Sequence, residues 1–275
     1  MNLAKKAAEL RIAILDLVYQ GKTGHIGGDL SSIDILTTLY YDVMSIDPEN
    51  MSDPNRDRFV LSKGHSVEAL WVTLADKGFF PKEELKTFSQ KGSLFIGHPN
   101  NKVNGVEMNT GSLGHGLPVC VGIALAAKMD GRSYQTYTLM GDGEQAEGSV
   151  WEGAMAAANY KLDNLTAIID RNGLQISGTT EEVMALDNLT QKWEAFGWEV
   201  ISVNGNDSSE LKAALNRPHT KDKPKMIIAN TIKGKGISQA ENNPSWHHFV
   251  PSQEVYQEAR AELLANFESL GGSDE

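Results

Sequence analysis

The sequence holds a single cysteine, Cys120, so no disulfide can form within the chain. It stands in the apolar run LPVCVGIALAA, a setting for a buried, inert thiol and not for a nucleophile. Positive charge is scarce: 25 lysines and arginines face 36 aspartates and glutamates, a net charge of -11. That balance argues against nucleic acid and anionic membranes as partners. No stretch approaches 18 apolar residues. The opening MNLAKKAAELRIAILDLVYQ alternates apolar and polar residues at helical spacing and has no signal-peptide core, so the cytoplasm is the expected compartment. There is no His-x-x-x-His and no cysteine pair, which leaves no zinc spacing.

What is present is an alternation of short β-rich runs and helical patterns. RFVLS (58–62), YQTYTLM (134–140), LTAIID (165–170), WEVISV (198–203) and KMIIANTI (225–232) read as strands. VEALWVTLADKG, VWEGAMAAANYK and SSELKAALN read as helices between them, the last capped by Asp207 or Ser208. This spacing predicts an α/β fold: a doubly wound, mostly parallel sheet with helices on both faces. We treat residues 1–275 as one domain with a flexible tail from about 265. In such sheets ligands sit beyond the carboxyl ends of the strands, where the unusual loops of this chain fall.

One of those loops is GDGEQAEG, residues 141–148. Three readings apply. Its acids simply favour a helix N-terminus, each by about 0.3–1 kcal/mol. Or Gly141, Gly143 and Gly148 mimic a dinucleotide fingerprint, although Asp142 between the glycines would repel a pyrophosphate. Or Asp142 holds a hard divalent cation that in turn holds phosphates, with few charged ligands and octahedral oxygens. The third reading needs a second ligand at the end of the neighbouring strand. Asn172 stands there, one strand–helix–strand unit later, and the Leu174 carbonyl follows.

Four of the seven histidines follow glycine: His25, His65, His98 and His115. Chance gives fewer than one such pair. Glycine permits backbone shapes that aim the next side chain into a cleft. A channel lined with imidazoles, for proton transfer and phosphate contact, is the functional reading. A single loop histidine is more often solvated and idle.

TGHIGGDLS, LSKGHS, IGHP, TGSLGHGL, GDGEQAEG with Asn172, and KGKG…SWHH stand in the order seen in transketolases. Over about residues 5–250 the chain resembles the diphosphate-binding, N-terminal part of that family, as the N-terminal subunit of a split enzyme. The resemblance implies thiamine diphosphate as cofactor and Mg²⁺, or else Ca²⁺ or Mn²⁺, as metal, held by Asp142, Asn172 and the Leu174 carbonyl. It implies diphosphate contacts from Gly143 N–H, His65 and His247. Gly111 would accept from the aminopyrimidine, and Leu113 would pack on the cofactor. His25, His98 and His247 would line the substrate channel as catalytic groups, with His248 competing for the role of His247. Glu147 would sit at the interface between subunits, beside the partner's activating glutamate. Glu144 and Glu152 receive no role beyond their helix end, and His219 reads as a surface residue. Ile26, His115 and Arg171 depart from the family's common residues without removing a ligand.

The implied activity is transfer of a two-carbon ketol unit between sugar phosphates. It would be performed with a C-terminal, pyrimidine-binding subunit in an α₂β₂ heterotetramer of the pentose phosphate pathway. Branched or sulfonated sugars are the alternative substrates. Rivals are a 2-oxo-acid dehydrogenase α-type subunit, a deoxyxylulose-phosphate synthase fragment and a catalytically silent binding subunit.

Overall fold

A computed structural model describes residues 1–271; the last four residues of the expected tail lie outside the described residues. The chain runs α1 (Leu3–Gly21), α2 (Ile26–Thr38), β1 (Arg58–Leu61), α3 (Val67–Lys77), α4 (Gly116–Met129), β2 (Thr136–Gly141), α5 (Gly148–Asn159) and β3 (Leu165–Arg171). It continues through a single turn α6 (Thr180–Val183), α7 (Leu189–Ala195), β4 (Glu199–Asn204), α8 (Ser208–Asn216), β5 (Lys225–Asn230) and α9 (Gln253–Ser269). Residues 265–269, expected in the tail, instead continue α9.

The five strands form one parallel sheet in the order β1-β2-β3-β5-β4. Strand side chains alternate between its two faces. Phe59, Leu61, Leu139, Ile168 and Ile227 share one core cluster with side chains of α1, α2, α3, α8 and α9. Val60, Met140, Ala167, Ile169, Met226 and Ile228 meet α4, α5 and α7. Each fully buried Leu, Ile or Val on these faces contributes about 1.5–3 kcal/mol. Covered on both sides, β3 and β5 are buried nearly throughout, whereas β4 at the edge is not. That is the doubly wound α/β arrangement the strand spacing predicts.

Cys120 lies in the second of these layers, and burial pushes its thiol up to about 12, which makes it inert. Asp207 is the cap of α8, accepting from the N–H groups of Ser209 and Glu210 at 2.8 and 3.2 Å. His219 is not the free surface residue expected. It is half-buried with Nε2 3.1 Å from Thr166 Oγ1, because the turn before β5 folds back over β3. Among the described residues no helix is long and apolar enough to cross a membrane.

Candidate active site

The loops after β1, β2, β3 and β5 open on the same edge of the sheet, as parallel strands require. With the N-terminal end of α2 they enclose a cleft of about 430 Å³. His25, His65, Gly111, Leu113, Asp142, Gly143, Asn172, Leu174 and His247 all line it. His98 stands at its mouth, its ring 6.5 Å from that of His25. Glu147 does not enter the cleft; it is exposed at the N-cap of α5.

The three acids of the loop after β2 have three fates. Glu144 is buried and organises the loops. Oε1 accepts from Ser62 Oγ and from Gly114 N–H at 2.8 Å, and Oε2 accepts from Gly141 N–H at 3.0 Å. It thereby ties β1 and β2 to the turn that opens α4, a role its place in the sequence does not disclose. Asp142 is also buried, and burial followed by repulsion from Asp170 raises its carboxyl. It accepts from Gly143 N–H at 2.8 Å, from Gly173 N–H at 2.6 Å and from Arg171 Nη1 at 3.2 Å. The Gly143 N–H, expected on a diphosphate, is thus turned to Asp142.

A divalent cation fits the chemistry of this donor set. Asp142, Asn172 Oδ1 and the Leu174 carbonyl offer one carboxylate, one amide and one main-chain oxygen to the same cleft. Two of them already draw cationic groups: the Arg171 guanidinium lies on Asp142, and Lys233 Nζ lies 3.2 Å from the Leu174 carbonyl. One carboxylate with neutral oxygens suits Mg²⁺ completed by phosphate and water.

Five histidines form one group. The ring of His25 lies 5.3 Å from His65, 5.5 Å from His247 and 4.8 Å from His248, and His65 stacks on His247 at 5.5 Å. The order of their roles follows from exposure. His247 lines the cleft, with Nδ1 2.9 Å from Lys233 Nζ. His248 is exposed and meets Thr23 Oγ1 at 3.3 Å. His115 lies outside the group, its Nδ1 on the Leu113 carbonyl at 3.0 Å. Burial first, then the neighbouring histidines and the lysines Lys63 and Lys233, lowers His25 to about 4 and His247 to about 3, and lowers His65 as well. Burial alone lowers His98. These imidazoles are therefore neutral near pH 7, and weaker bases than a free histidine in this buried setting.

Gly111 adopts φ +137°, and a Cβ there would stand 2.5 Å from the His98 ring. Only glycine lets that ring reach the cleft mouth. Two lysines were missed from the sequence. Lys63 is buried on the floor, its ammonium on the Asp170 carboxylate and 3.1 Å from the Gly28 carbonyl. Asp170, at the end of β3, also accepts from Ser31, Thr231 and Asn172 and so joins four segments. Lys233, after β5, is lowered by burial and by Lys63 to about 8. The repeated Lys-Gly of KGKG was a signal for it, whereas Lys63, though inside LSKGHS, and Asp170 carry no local sign of their pairing.

The cleft therefore presents oxygens for a cation, ammonium groups for an anion, and neutral imidazoles between them. The family model described as "Transketolase, thiamine diphosphate binding domain" matches residues 3–264. The chain is 52% identical over 270 residues to one subunit of the apulose-4-phosphate transketolase of Phocaeicola vulgatus, covering 98% of this chain and 96% of the relative. It is 42% identical over 265 residues to the 6-deoxy-6-sulfo-D-fructose transketolase subunit SqwG of a Clostridium species, covering 96% of each. The solved transketolase of Leishmania mexicana superposes with a TM-score of 0.88 at 29% identity, over 98% of this chain. This chain spans only 45% of that longer one. Sheet, site and similarity agree that the chain belongs to the transketolase family, as its thiamine diphosphate-binding domain.

Proposed function

We propose that the chain is the diphosphate-binding subunit of a two-subunit transketolase that moves a two-carbon ketol unit between sugar phosphates in the cytoplasm. The observation that carries this is the cleft. Asp142, Asn172 and the Leu174 carbonyl line it together with His25, His65 and His247, and Lys233 joins the two groups, within reach of both the Leu174 carbonyl and the His247 ring. Asp142, Asn172 and Leu174 would hold a divalent cation, Mg²⁺ by preference. His65, Lys233 and His247 would meet the diphosphate, and Gly111 and Leu113 the rest of the cofactor. When bound, thiamine diphosphate supplies the carbanion chemistry. The neutral imidazoles of His25, His98 and His247 accept and return protons at the sugar hydroxyls.

A second, separate chain as partner is supported by two observations. Two relatives named as single subunits of apulose-4-phosphate transketolases match along 96% of their length. And α4 with α5 leaves Gly122, Ala126, Met129 and Met155 exposed, as is Glu147 at the start of α5. An α₂β₂ assembly with Glu147 at the junction is the proposed arrangement. The relatives' names favour a branched sugar phosphate or a sulfonated sugar over ordinary pentose phosphates as substrate.

The test is a coupled assay with thiamine diphosphate, Mg²⁺ and a panel of ketose phosphates, including apulose 4-phosphate. It is run on the chain, on its partner and on the mixture. Turnover is expected from the mixture alone. Full turnover by the isolated chain would overturn the two-subunit reading.

A further inference from the structure

His25 immediately precedes α2, and His65 lies two residues before α3, so the site depends on how those two helix ends are held together. Directly beneath them are two acids the site does not use. Asp29, in the first turn of α2, and Glu68, in the first turn of α3, are both fully buried. Their carboxyl groups adjoin each other, close enough to hydrogen-bond if one of them carries a proton. Asp29 Oδ1 also accepts the Ala69 N–H at 3.0 Å, so an α2 side chain caps the N-terminal turn of α3.

Glu68 reaches back as well. Its Oε1 would lie 3.1 Å from any Cβ at Gly24, the residue before His25, with Val18 of α1 packed on the same point. As two carboxylates the pair would be unstable. Asp29 Oδ2 and both Glu68 oxygens are buried without a side-chain partner, and only main chain at His25 and Glu68 favours the charged form of Glu68. Lys63, the cation that acts on Asp29, is already engaged by Asp170 and the Gly28 carbonyl. Two acids in contact in a buried site do not both ionise, because each charge opposes the other and neither is solvated.

We propose that Asp29 and Glu68 share one proton, and that this carboxyl–carboxylate bridge is a positioning device that sets His25 and His65 at the separation the cleft needs. Burial raises both acids, and the nearby Asp29 raises Glu68 further, in agreement with a retained proton. The groups facing the pair are Lys63, the main chain at His25 and Ala69, and the apolar Val18. Lys63 favours ionisation of one acid but cannot serve both. The proposal rests on the reading of His25 and His65 as site residues.

Infrared spectra of the isolated, folded chain near pH 7 test the proton directly. A protonated-carboxyl carbonyl band is expected in the wild type, and it should be lost in both Glu68→Gln and Asp29→Asn. Imidazole NMR signals test the positioning. Glu68→Gln, whose amide donates in place of the shared proton, should keep the His25 and His65 signals, and Glu68→Ala should move them. With the partner present, Glu68→Ala should lower kcat about tenfold or more, as small misplacements do. Glu68→Gln should stay near wild type and hold its activity to higher pH.

No carboxyl band in the wild type, or Glu68→Gln behaving as Glu68→Ala, would overturn the proposal. Absence of ketol transfer by the wild-type mixture would overturn the functional reading while leaving the spectra to decide this one.

Discussion

Asp142 is the residue on which the reading of the cleft turns. Replacing it with alanine removes the only carboxylate among the three proposed ligand groups and leaves a diphosphate facing uncompensated main-chain oxygens. Asp142→Ala should weaken Mg²⁺-dependent binding of thiamine diphosphate to the assembled enzyme by about 100-fold or more, the upper end of what loss of an outer-shell partner costs a metal site. Calorimetry with unchanged affinity in a folded variant would remove Asp142 from the ligand set. Asp142, Asn172 and the glycine–histidine loops were legible in the sequence because each is a local pattern of unusual residues. Glu144, Lys63 and Asp170 were not. Each is an ordinary residue beside a strand end, and its role arises from partners 30 to 139 positions away. A buried charge acquires meaning only from what is folded against it.

At the scale of elements, all five strands could be read from the sequence within one or two residues, since each is a short apolar run bounded by turn residues. The strand order could not. A run of apolar residues does not say which neighbour it pairs with, and β5 lies between β3 and β4. The exposed side of α4 was also hidden, because the helix is apolar all round and its buried and open faces look alike in sequence. That open face carries a prediction. Ala126→Glu, at an exposed position, should change the stability of the isolated chain by no more than about 0.5 kcal/mol. It should weaken association with the partner by about tenfold or more, through a charge left unpaired in an apolar junction. Light scattering on the mixture measures this, and undiminished assembly would move the junction elsewhere.

For the molecule as a whole, His219 offers a clean reading of how acidity couples to stability. Burial, with Lys225 nearby, lowers it to about 4 in the fold, against about 6.5 when unfolded. Below pH 6.5 the unfolded chain takes up a proton that the native one refuses, so the stability it contributes is present above that value and is lost as pH falls toward 4. In urea melts between pH 7 and 4.5 the wild type should therefore lose stability relative to His219→Gln over that window. Parallel curves would mean that the imidazole titrates normally. The sheet order has its own bearing on how the protein is made. Its inner strand β5 leaves the ribosome last, after both of its neighbours. Until residue 230 has emerged, the hydrogen-bonding edge of β3 has no partner and β4 has nothing to join. A nascent chain at that stage carries two open, apolar strand edges of the kind that recruit other chains. Closure of the sheet thus waits on its final strand, and Lys233, three residues further on, and His247, seventeen further on, reach the cleft only after it.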